Sequence, residues 1–247
     1  MQKRQIVYGV RAIQEAIKAN KPIDKVLIED GHRSSLISET IGLLKSENIP
    51  YQFVPSQAFH KYIKDGENHQ GMIAFVSPVD FQELEPIIEK LIEDKKMPLI
   101  LIMDRITDTR NFGAIARSAE CHGVHAIVIP SRGSAAITED AIKTSAGALF
   151  KIPICREENL KGTIELIKSY GITVVACTEK TKHLLPNTDL KKPLAIMMGS
   201  EDEGVAPEYL KRCDLLCKIP MVGTIESLNV SVAAGIILYE VLKQRMD

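Results

Sequence analysis

Short polar side chains follow apolar segments at three places in the C-terminal half of the chain. Ser227 and Asn229 follow a glycine turn and precede a helical pattern, where they are suited to capping the helix and to contacting a ligand. Asn111 and Arg117 stand near the start of an earlier helical pattern, and the loop 199–204 follows an apolar run. Because each segment lies at the predicted carboxyl end of a strand, we expect the three to converge on one site.

The composition of loop 199–204 narrows the class of ligand. Its sequence, Gly-Ser-Glu-Asp-Glu-Gly, has the glycine spacing of a phosphate-binding loop, but Val205 and Ala206 stand where that loop requires Lys and Ser or Thr. Three acidic side chains would repel a phosphate, and no two glycines of the chain are two residues apart, as a dinucleotide-binding turn requires. An acidic loop of this kind favours a cationic or polar, non-phosphorylated ligand such as S-adenosyl-methionine.

Alternating apolar runs and helical patterns surround these segments. From residue 98 onward, continuous apolar runs predict buried parallel strands, and amphipathic patterns predict helices between them. The predicted strands are 99–103, 125–129, 172–177, 194–198 and 215–219, and the predicted helices are 111–122, 158–170 and 227–244. The sequence therefore predicts a parallel-sheet α/β domain over residues 98–247.

The N-terminal part of the chain has shorter elements. Helices are predicted at 9–20, 35–48 and 56–63, and strands at 25–29, 51–54 and 72–76. This alternation predicts a small α/β domain over residues 1–76. Ser77-Pro78 then interrupts the pattern, and residues 79–97 are acidic with a helical pattern, so we interpret 77–97 as a linker.

Composition limits the classes of partner. The 247-residue chain has a formal net charge of −1, so nucleic-acid binding would require a local patch. Arg105, Arg110, Arg117 and Arg132 fall on the first two loops of the second domain, where they favour phosphate contacts; scattered solvated arginines are the alternative. We find no signal-peptide pattern and no run of about 20 apolar residues for a bilayer span. Five scattered cysteines, at spacings that miss the common zinc patterns, predict a cytoplasmic protein without a metal.

Together, the three motifs resemble the SpoU/TrmH family of RNA 2′-O-ribose methyltransferases, in the trefoil-knotted SPOUT superfamily. The motifs span residues 104–117, 196–204 and 219–233. Segments 8–12 and 69–74 resemble the substrate-binding domain of the ribosomal branch, which has an L30e/L7Ae-like fold. The nearest resemblance is to the bacterial enzymes that methylate a guanosine of large-subunit (23S) rRNA.

The resemblance implies a fold, a cofactor and partners. The C-terminal domain would contain a deep trefoil knot, S-adenosyl-methionine would be the methyl donor, and a homodimer would act on rRNA. Gly199, Ile219 and Leu228 match positions that line the cofactor site, and Thr178 is a weaker candidate for the same pocket. The residues expected to contact RNA are Arg105, Arg110, Arg132 and Arg11, the last of which replaces the family's usual His.

Catalytic roles also follow from the resemblance. Asn111 and Glu201 match motif residues that organise the active site, while Ser227 and Asn229 are expected to fix the turn and the substrate side of the crevice. Arg117 matches the arginine proposed to activate the ribose 2′-hydroxyl. A guanidinium loses its proton only above about pH 12, so two roles stay open for Arg117. It is either the base or a clamp on the adjacent phosphate and the developing alkoxide.

Three other functions compete with this interpretation. The same chemistry could act on tRNA or on another rRNA nucleotide, although the complete N-terminal domain argues against the tRNA enzyme. A non-catalytic RNA-binding assembly factor could have kept the fold, although the intact motifs argue against it. A flavodoxin-like binder of a small molecule would make the three motifs a coincidence.

Overall fold

The computed structural model describes residues 6–63, 67–225 and 227–246. The chain forms two compact units: residues 1–80 with 136–139, and residues 81–135 with 140–247. Among the described residues, no helix combines the length and the apolar character needed to cross a bilayer.

A four-stranded sheet with two helices forms the first unit. The elements are β1 (Ile6–Tyr8), α1 (Val10–Lys18), β2 (Ile23–Glu29), α2 (Ser35–Ser46), β3 (Tyr51–Val54) and β4 (Met72–Val76). The strand order is β1-β4-β2-β3, in which β2 and β3 are parallel and the other pairs are antiparallel. The predicted small α/β domain is thus confirmed, with β1 added and with the helix at 56–63 observed as a 3₁₀ helix over Ser56–Lys61.

Both faces of this sheet are covered. One face packs against α1 and α2, which are joined inside the unit by a hydrogen bond from Gln14 Nε2 to Thr40 Oγ1 at 3.0 Å. The other face packs against Phe59 and Ile63, near the 3₁₀ helix. Alternation of side chains along each short strand explains how four strands supply two apolar surfaces.

The second unit contains a seven-stranded parallel sheet. Its elements are β5 (Phe81–Gln82), α3 (Leu84–Glu93), β6 (Leu99–Met103), α4 (Thr109–Cys121), β7 (Ala126–Pro130), α5 (Glu139–Thr144), β8 (Ile154–Glu157), α6 (Leu160–Ser169), β9 (Thr173–Cys177), β10 (Leu194–Met198), α7 (Pro207–Leu210), β11 (Leu215–Cys217) and α8 (Val230–Met246). The strand order is β11-β9-β10-β6-β7-β8-β5. The predicted parallel-sheet α/β domain is therefore confirmed, and the order is consistent with the trefoil knot that the resemblance implies.

Two strands at one side of this sheet, the edge strand β5 and its neighbour β8, were absent from the sequence-based prediction. β8 has only four residues, half of them charged, and β5 has two, so neither carries the apolar run that identifies a buried strand. β5 pairs with β8 and is followed by α3. β5 and α3 lie within residues 77–97, the segment that was expected to be a linker. Helix α3 belongs to the second unit because Leu84, Ile88 and Leu91 form one buried stripe, while its acidic residues face solvent.

Candidate active site

The carboxylate of Glu201 joins all three motif segments. Its Oε1 accepts hydrogen bonds from Asn111 Nδ2 at 3.2 Å, from Asn229 Nδ2 at 2.6 Å and from the backbone N–H of Val230 at 3.2 Å. Asn229 Nδ2 also donates to Asn111 Oδ1 at 3.0 Å. The structure therefore brings together three residues that the sequence assigned to one site, at the carboxyl ends of β6 and β10 and the start of α8.

Helix capping fixes the two asparagines. Asp108 caps α4 by accepting a hydrogen bond from the Asn111 N–H at 2.7 Å, which leaves the Asn111 side chain to Glu201. Asn229 Oδ1 accepts from the N–H groups of Ser231 at 3.0 Å and Val232 at 3.4 Å, in the first turn of α8. The side chain of Asn229 is therefore fixed by the backbone of α8, and the backbone of Asn111 is fixed by Asp108. Asp108 was not predicted as a site residue, although an Asp three residues before Asn111 is a sequence signal for a cap.

Loop 199–206 closes on itself immediately after β10. The Gly204 N–H donates to the Ser200 carbonyl at 2.9 Å. A Cβ atom on Gly199 would lie 1.9 Å from the Gly204 carbonyl carbon and 2.1 Å from the Val205 nitrogen. Gly199 is thus required by the close approach of the loop's own backbone.

Two residues at the end of β6 are bonded to this loop. Asp104 is only 2% exposed, and its Oδ2 accepts a hydrogen bond from the Ala206 N–H at 2.8 Å. Arg105 forms ion pairs with Asp104 and Glu203, and its Nη2 donates to the Gly204 carbonyl at 3.2 Å. Burial alone lowers the pKa of Arg105, but its hydrogen bonds to Glu203 and Asp104 outweigh that effect and raise the pKa. The sequence assigned Arg105 to RNA, whereas in the structure its guanidinium is bound within the protein.

The other predicted arginines point to solvent. Arg110 and Arg117 are exposed on α4, and Arg132 is exposed in the loop after β7. Within residues 6–63, 67–225 and 227–246, the side chain of Arg117 forms no hydrogen bond or ion pair. Arg11 is exposed on α1 of the first unit. These side chains are therefore available to an anionic partner, and their assigned roles stay predictions.

The predicted cofactor residues follow neighbouring strands. Thr178 comes directly after β9, is 7% exposed, and donates its backbone N–H to the Cys217 carbonyl at 2.9 Å. Ile219 is half-buried beyond β11, and Leu228 is 39% exposed. Across 219–225 and 227–228, the part of this segment that the structure describes, no backbone hydrogen bond is formed. Ser227 lies exposed in the same segment.

Two thiols lie beside this segment. The Sγ atoms of Cys177 and Cys217, on the neighbouring strands β9 and β11, are 3.6 Å apart. A hydrogen bond between the two lowers the pKa of Cys217, and together with burial it raises the pKa of Cys177. Among the described residues, no cluster of three or more His, Cys, Asp or Glu side chains could hold a metal ion.

Comparison with known proteins identifies the family. Residues 98–239 match the SpoU rRNA Methylase family, and residues 6–82 match the family described as RNA 2′-O ribose methyltransferase substrate binding. A parallel sheet with the three motif segments at its carboxyl edge thus defines an RNA methyltransferase, and the chain belongs to the SpoU rRNA methylase family.

Individual relatives cover nearly the whole chain. A protein of Bacillus subtilis (strain 168), named as a TrmH family tRNA/rRNA methyltransferase, is 34% identical over 244 residues, which are 99% of this chain and 97% of that protein. The SpoU methyltransferase AviRb from Streptomyces viridochromogenes, solved with AdoMet, has a similar fold, with a TM-score of 0.62 at 24% identity over 99% of this chain and 91% of its own. A crystal structure named as an RNA 2′-O ribose methyltransferase has a TM-score of 0.58 at 25% identity, over 100% of this chain and 90% of its own.

Proposed function

We propose that this chain transfers a methyl group from S-adenosyl-methionine to the ribose 2′-hydroxyl of a guanosine in large-subunit (23S) rRNA. The observation that carries the proposal is the bonding of Glu201 to Asn111, Asn229 and the start of α8, which joins the three motif segments. The match of residues 6–82 to a substrate-binding family supports an RNA substrate held partly by the first unit. The resemblance of segments 8–12 and 69–74 to the ribosomal branch supports the rRNA target.

The residues present fit the proposed cofactor. Adenosyl-methionine supplies, when bound, a methyl group made electrophilic by its sulfonium. Unbonded peptide groups in 219–225 and 227–228 are suited to a polar heterocycle, which can both donate and accept hydrogen bonds. The exposed acids of loop 199–204 complement a positive charge and disfavour a phosphate-bearing ligand. Thr178, Gly199 and Ile219, at the ends of β9, β10 and β11, would border the adenosyl group.

In this proposal the chain's own residues orient the ribose. Glu201 holds the Asn111 and Asn229 amides by hydrogen bonds, so that these groups and Ser227 meet the substrate without rearrangement. Arg117 binds the phosphate next to the target ribose and stabilises the developing alkoxide. A deprotonated Arg117 acting as the base is the alternative.

Substitution of Arg117 by Lys separates the two roles. Lysine keeps the positive charge but loses the planar, bidentate fork of the guanidinium. If Arg117 is a clamp, we expect kcat/KM to fall by about 10- to 100-fold and the shape of the pH–rate profile to stay unchanged. The measurement is the initial rate of methyl transfer from about pH 7 to pH 10. A base would instead move the rising part of the profile to lower pH, because lysine loses its proton more readily than arginine, and near-wild-type turnover would exclude the bidentate role.

We also propose a homodimer, formed in the cytoplasm and using α8. Val232, Ile236 and Tyr239 are 51%, 39% and 59% exposed along this helix, whereas Ala234, Ile237 and Leu238 are buried. An exposed apolar stripe beside a buried one supports contact with a second subunit. Sedimentation equilibrium tests this proposal, and a monomer at all concentrations would contradict it.

Labelled-methyl transfer tests the reaction and its substrate. Purified protein is mixed with labelled S-adenosyl-methionine and, in parallel, with unmodified 23S rRNA and with unmodified tRNA, and the modified nucleotide is mapped. We expect a single 2′-O-methylguanosine in 23S rRNA. Modification of tRNA would overturn the substrate assignment. RNA binding without cofactor binding would favour the non-catalytic assembly factor.

A further inference from the structure

We propose that Asp104 and Arg105 are positioning residues for the cofactor, because they fasten loop 199–206 to the carboxyl end of β6. The inference rests on the proposed use of S-adenosyl-methionine. It gives Arg105 a role within the protein in place of the RNA contact expected from the sequence.

Asp104 bridges the central strands and the far end of the loop. Its backbone N–H donates to the carbonyl of Met198, the last residue of β10, at 2.8 Å. Its buried carboxylate accepts the Ala206 N–H at 2.8 Å and an Arg105 Nε–H at 3.2 Å. A carboxylate with 2% exposure is stable only when it is bonded in this way, so Asp104 fixes where the loop returns to the protein.

Arg105 holds the middle of the loop. Its backbone has a φ of +57°, a left-handed conformation that residues other than glycine rarely adopt. In this conformation the side chain reaches across to the Glu203 carboxylate and to the Gly204 carbonyl, at 3.2 Å for the latter. The guanidinium therefore bridges Asp104 and two consecutive loop residues, Glu203 and Gly204. A lysine ammonium is a single point charge on a flexible stem and would bridge these groups less well.

Glu201 depends on the conformation that these contacts maintain. It lies between Gly199, which touches the backbone of Gly204, and Glu203, which is bonded to Arg105. If Arg105 releases the loop, Glu201 Oε1 loses its fixed distance to Asn229 and the start of α8. The backbone beside Gly199 would shift with it, so we expect the cofactor to bind less tightly.

Two variants each remove one partner of the ion pair between Arg105 and Glu203. Arg105→Met removes the guanidinium, and Glu203→Gln removes the charge of a side chain that is 69% exposed and therefore tolerates substitution. The matched control is Lys161→Ala, which removes a surface ion pair with Glu208 (Nζ to Oε2, 2.6 Å). Binding of S-adenosyl-homocysteine is measured by calorimetry without RNA, and RNA affinity is measured as a function of salt concentration.

We expect both variants to bind S-adenosyl-homocysteine about five- to tenfold more weakly than wild type, because a partly exposed ion pair contributes modestly. KM for S-adenosyl-methionine should rise by a similar factor, and kcat should fall as well, because Glu201 loses its fixed contacts with Asn229 and the start of α8. Glu203→Gln should bind RNA as tightly as wild type or more tightly, since it removes a negative charge. Arg105→Lys should recover part of the affinity, and Lys161→Ala should be unchanged.

Other outcomes overturn the inference. Wild-type affinity for S-adenosyl-homocysteine in both variants would exclude a positioning role. The slope of the logarithm of the RNA binding constant against the logarithm of the salt concentration could fall in magnitude by about one in Arg105→Met, with cofactor affinity unchanged. That result would assign Arg105 to an RNA phosphate. If wild type itself fails to bind S-adenosyl-homocysteine, the proposed function is wrong, which is a separate result.

Discussion

At the scale of single residues, one amide group of Asn229 connects helix capping to the active site. Its Oδ1 caps α8, and its Nδ2 donates to Glu201 at 2.6 Å. Asn229→Asp keeps an effective cap, but it replaces the Nδ2 donor by an oxygen and places a second carboxylate beside Glu201. We expect the free energy of unfolding to stay within about 1 kcal/mol of wild type and kcat/KM for methyl transfer to fall by about 10- to 100-fold. Urea unfolding and the methyl-transfer assay measure the two quantities.

Asn229→Ala is the comparison for this prediction. It removes the cap as well as the amide donor, so it should lose about 1 kcal/mol of stability in addition to activity. Full activity of Asn229→Asp would mean that the contact with Glu201 does not organise the site.

At the scale of elements, His125 joins the beginnings of two central strands. Its Nδ1 accepts a hydrogen bond from the Leu99 N–H at 3.1 Å, immediately before β7 and at the start of β6. Burial lowers the pKa of His125, and the positive charges of Arg245 and Lys96 lower it further. The folded state therefore favours the neutral ring, whereas the unfolded state takes up a proton below about pH 6.5.

The sign of the pH dependence follows from this difference. Above about pH 6.5 the neutral ring of His125 contributes its full stabilisation. As the pH falls below that value, the unfolded state binds more protons than the folded state, and the stabilisation by His125 is progressively lost. We expect the free energy of unfolding of wild type to fall more steeply between about pH 8 and pH 5.5 than that of His125→Gln. Urea unfolding at several pH values measures both slopes, and equal slopes would contradict the assignment.

At the scale of the whole molecule, the last turn of α8 ties the C-terminal helix to the opposite ends of the central strands. Arg245 donates to the carbonyls of Met97 at 3.3 Å, Pro98 at 3.0 Å and Lys192 at 2.7 Å, just before β6 and β10. Arg245→Ala leaves these carbonyls without their charged donor. We expect the free energy of unfolding to fall by about 1–3 kcal/mol, measured by urea unfolding.

Lys243 provides the control in the same turn. Its side chain is 54% exposed and its Nζ lies 3.5 Å from Glu240 Oε2, a carboxylate that keeps the hydrogen bond from Gln244 Nε2, so Lys243→Ala should change the free energy of unfolding by less than about 0.5 kcal/mol. An equal effect of the two substitutions would mean that Arg245 acts through charge alone and not through its bonds to the carbonyls.

The extent of prediction from sequence differed between the centre and the edge of the large sheet. Strands β6, β7, β9 and β10 were predicted within one residue at each end, because burial on both faces leaves a continuous apolar run. β5 and β8 were missed because these short strands are stabilised by pairing with neighbours distant in sequence, and that pairing leaves no local pattern. The turn into α8 was predicted, but the helix begins at Val230 because Asn229 caps it.

The sequence by itself determined the parallel α/β class and the three motif segments, since strand ends, turns and caps depend on neighbouring residues. Only the tertiary structure decided which groups meet. Glu201 bonds to Asn111, 90 residues earlier, and to Asn229, 28 residues later, because β10 lies beside β6 in the sheet. The same strand order directs Arg105 to loop 199–206, a contact across 98 residues that no local pattern encodes.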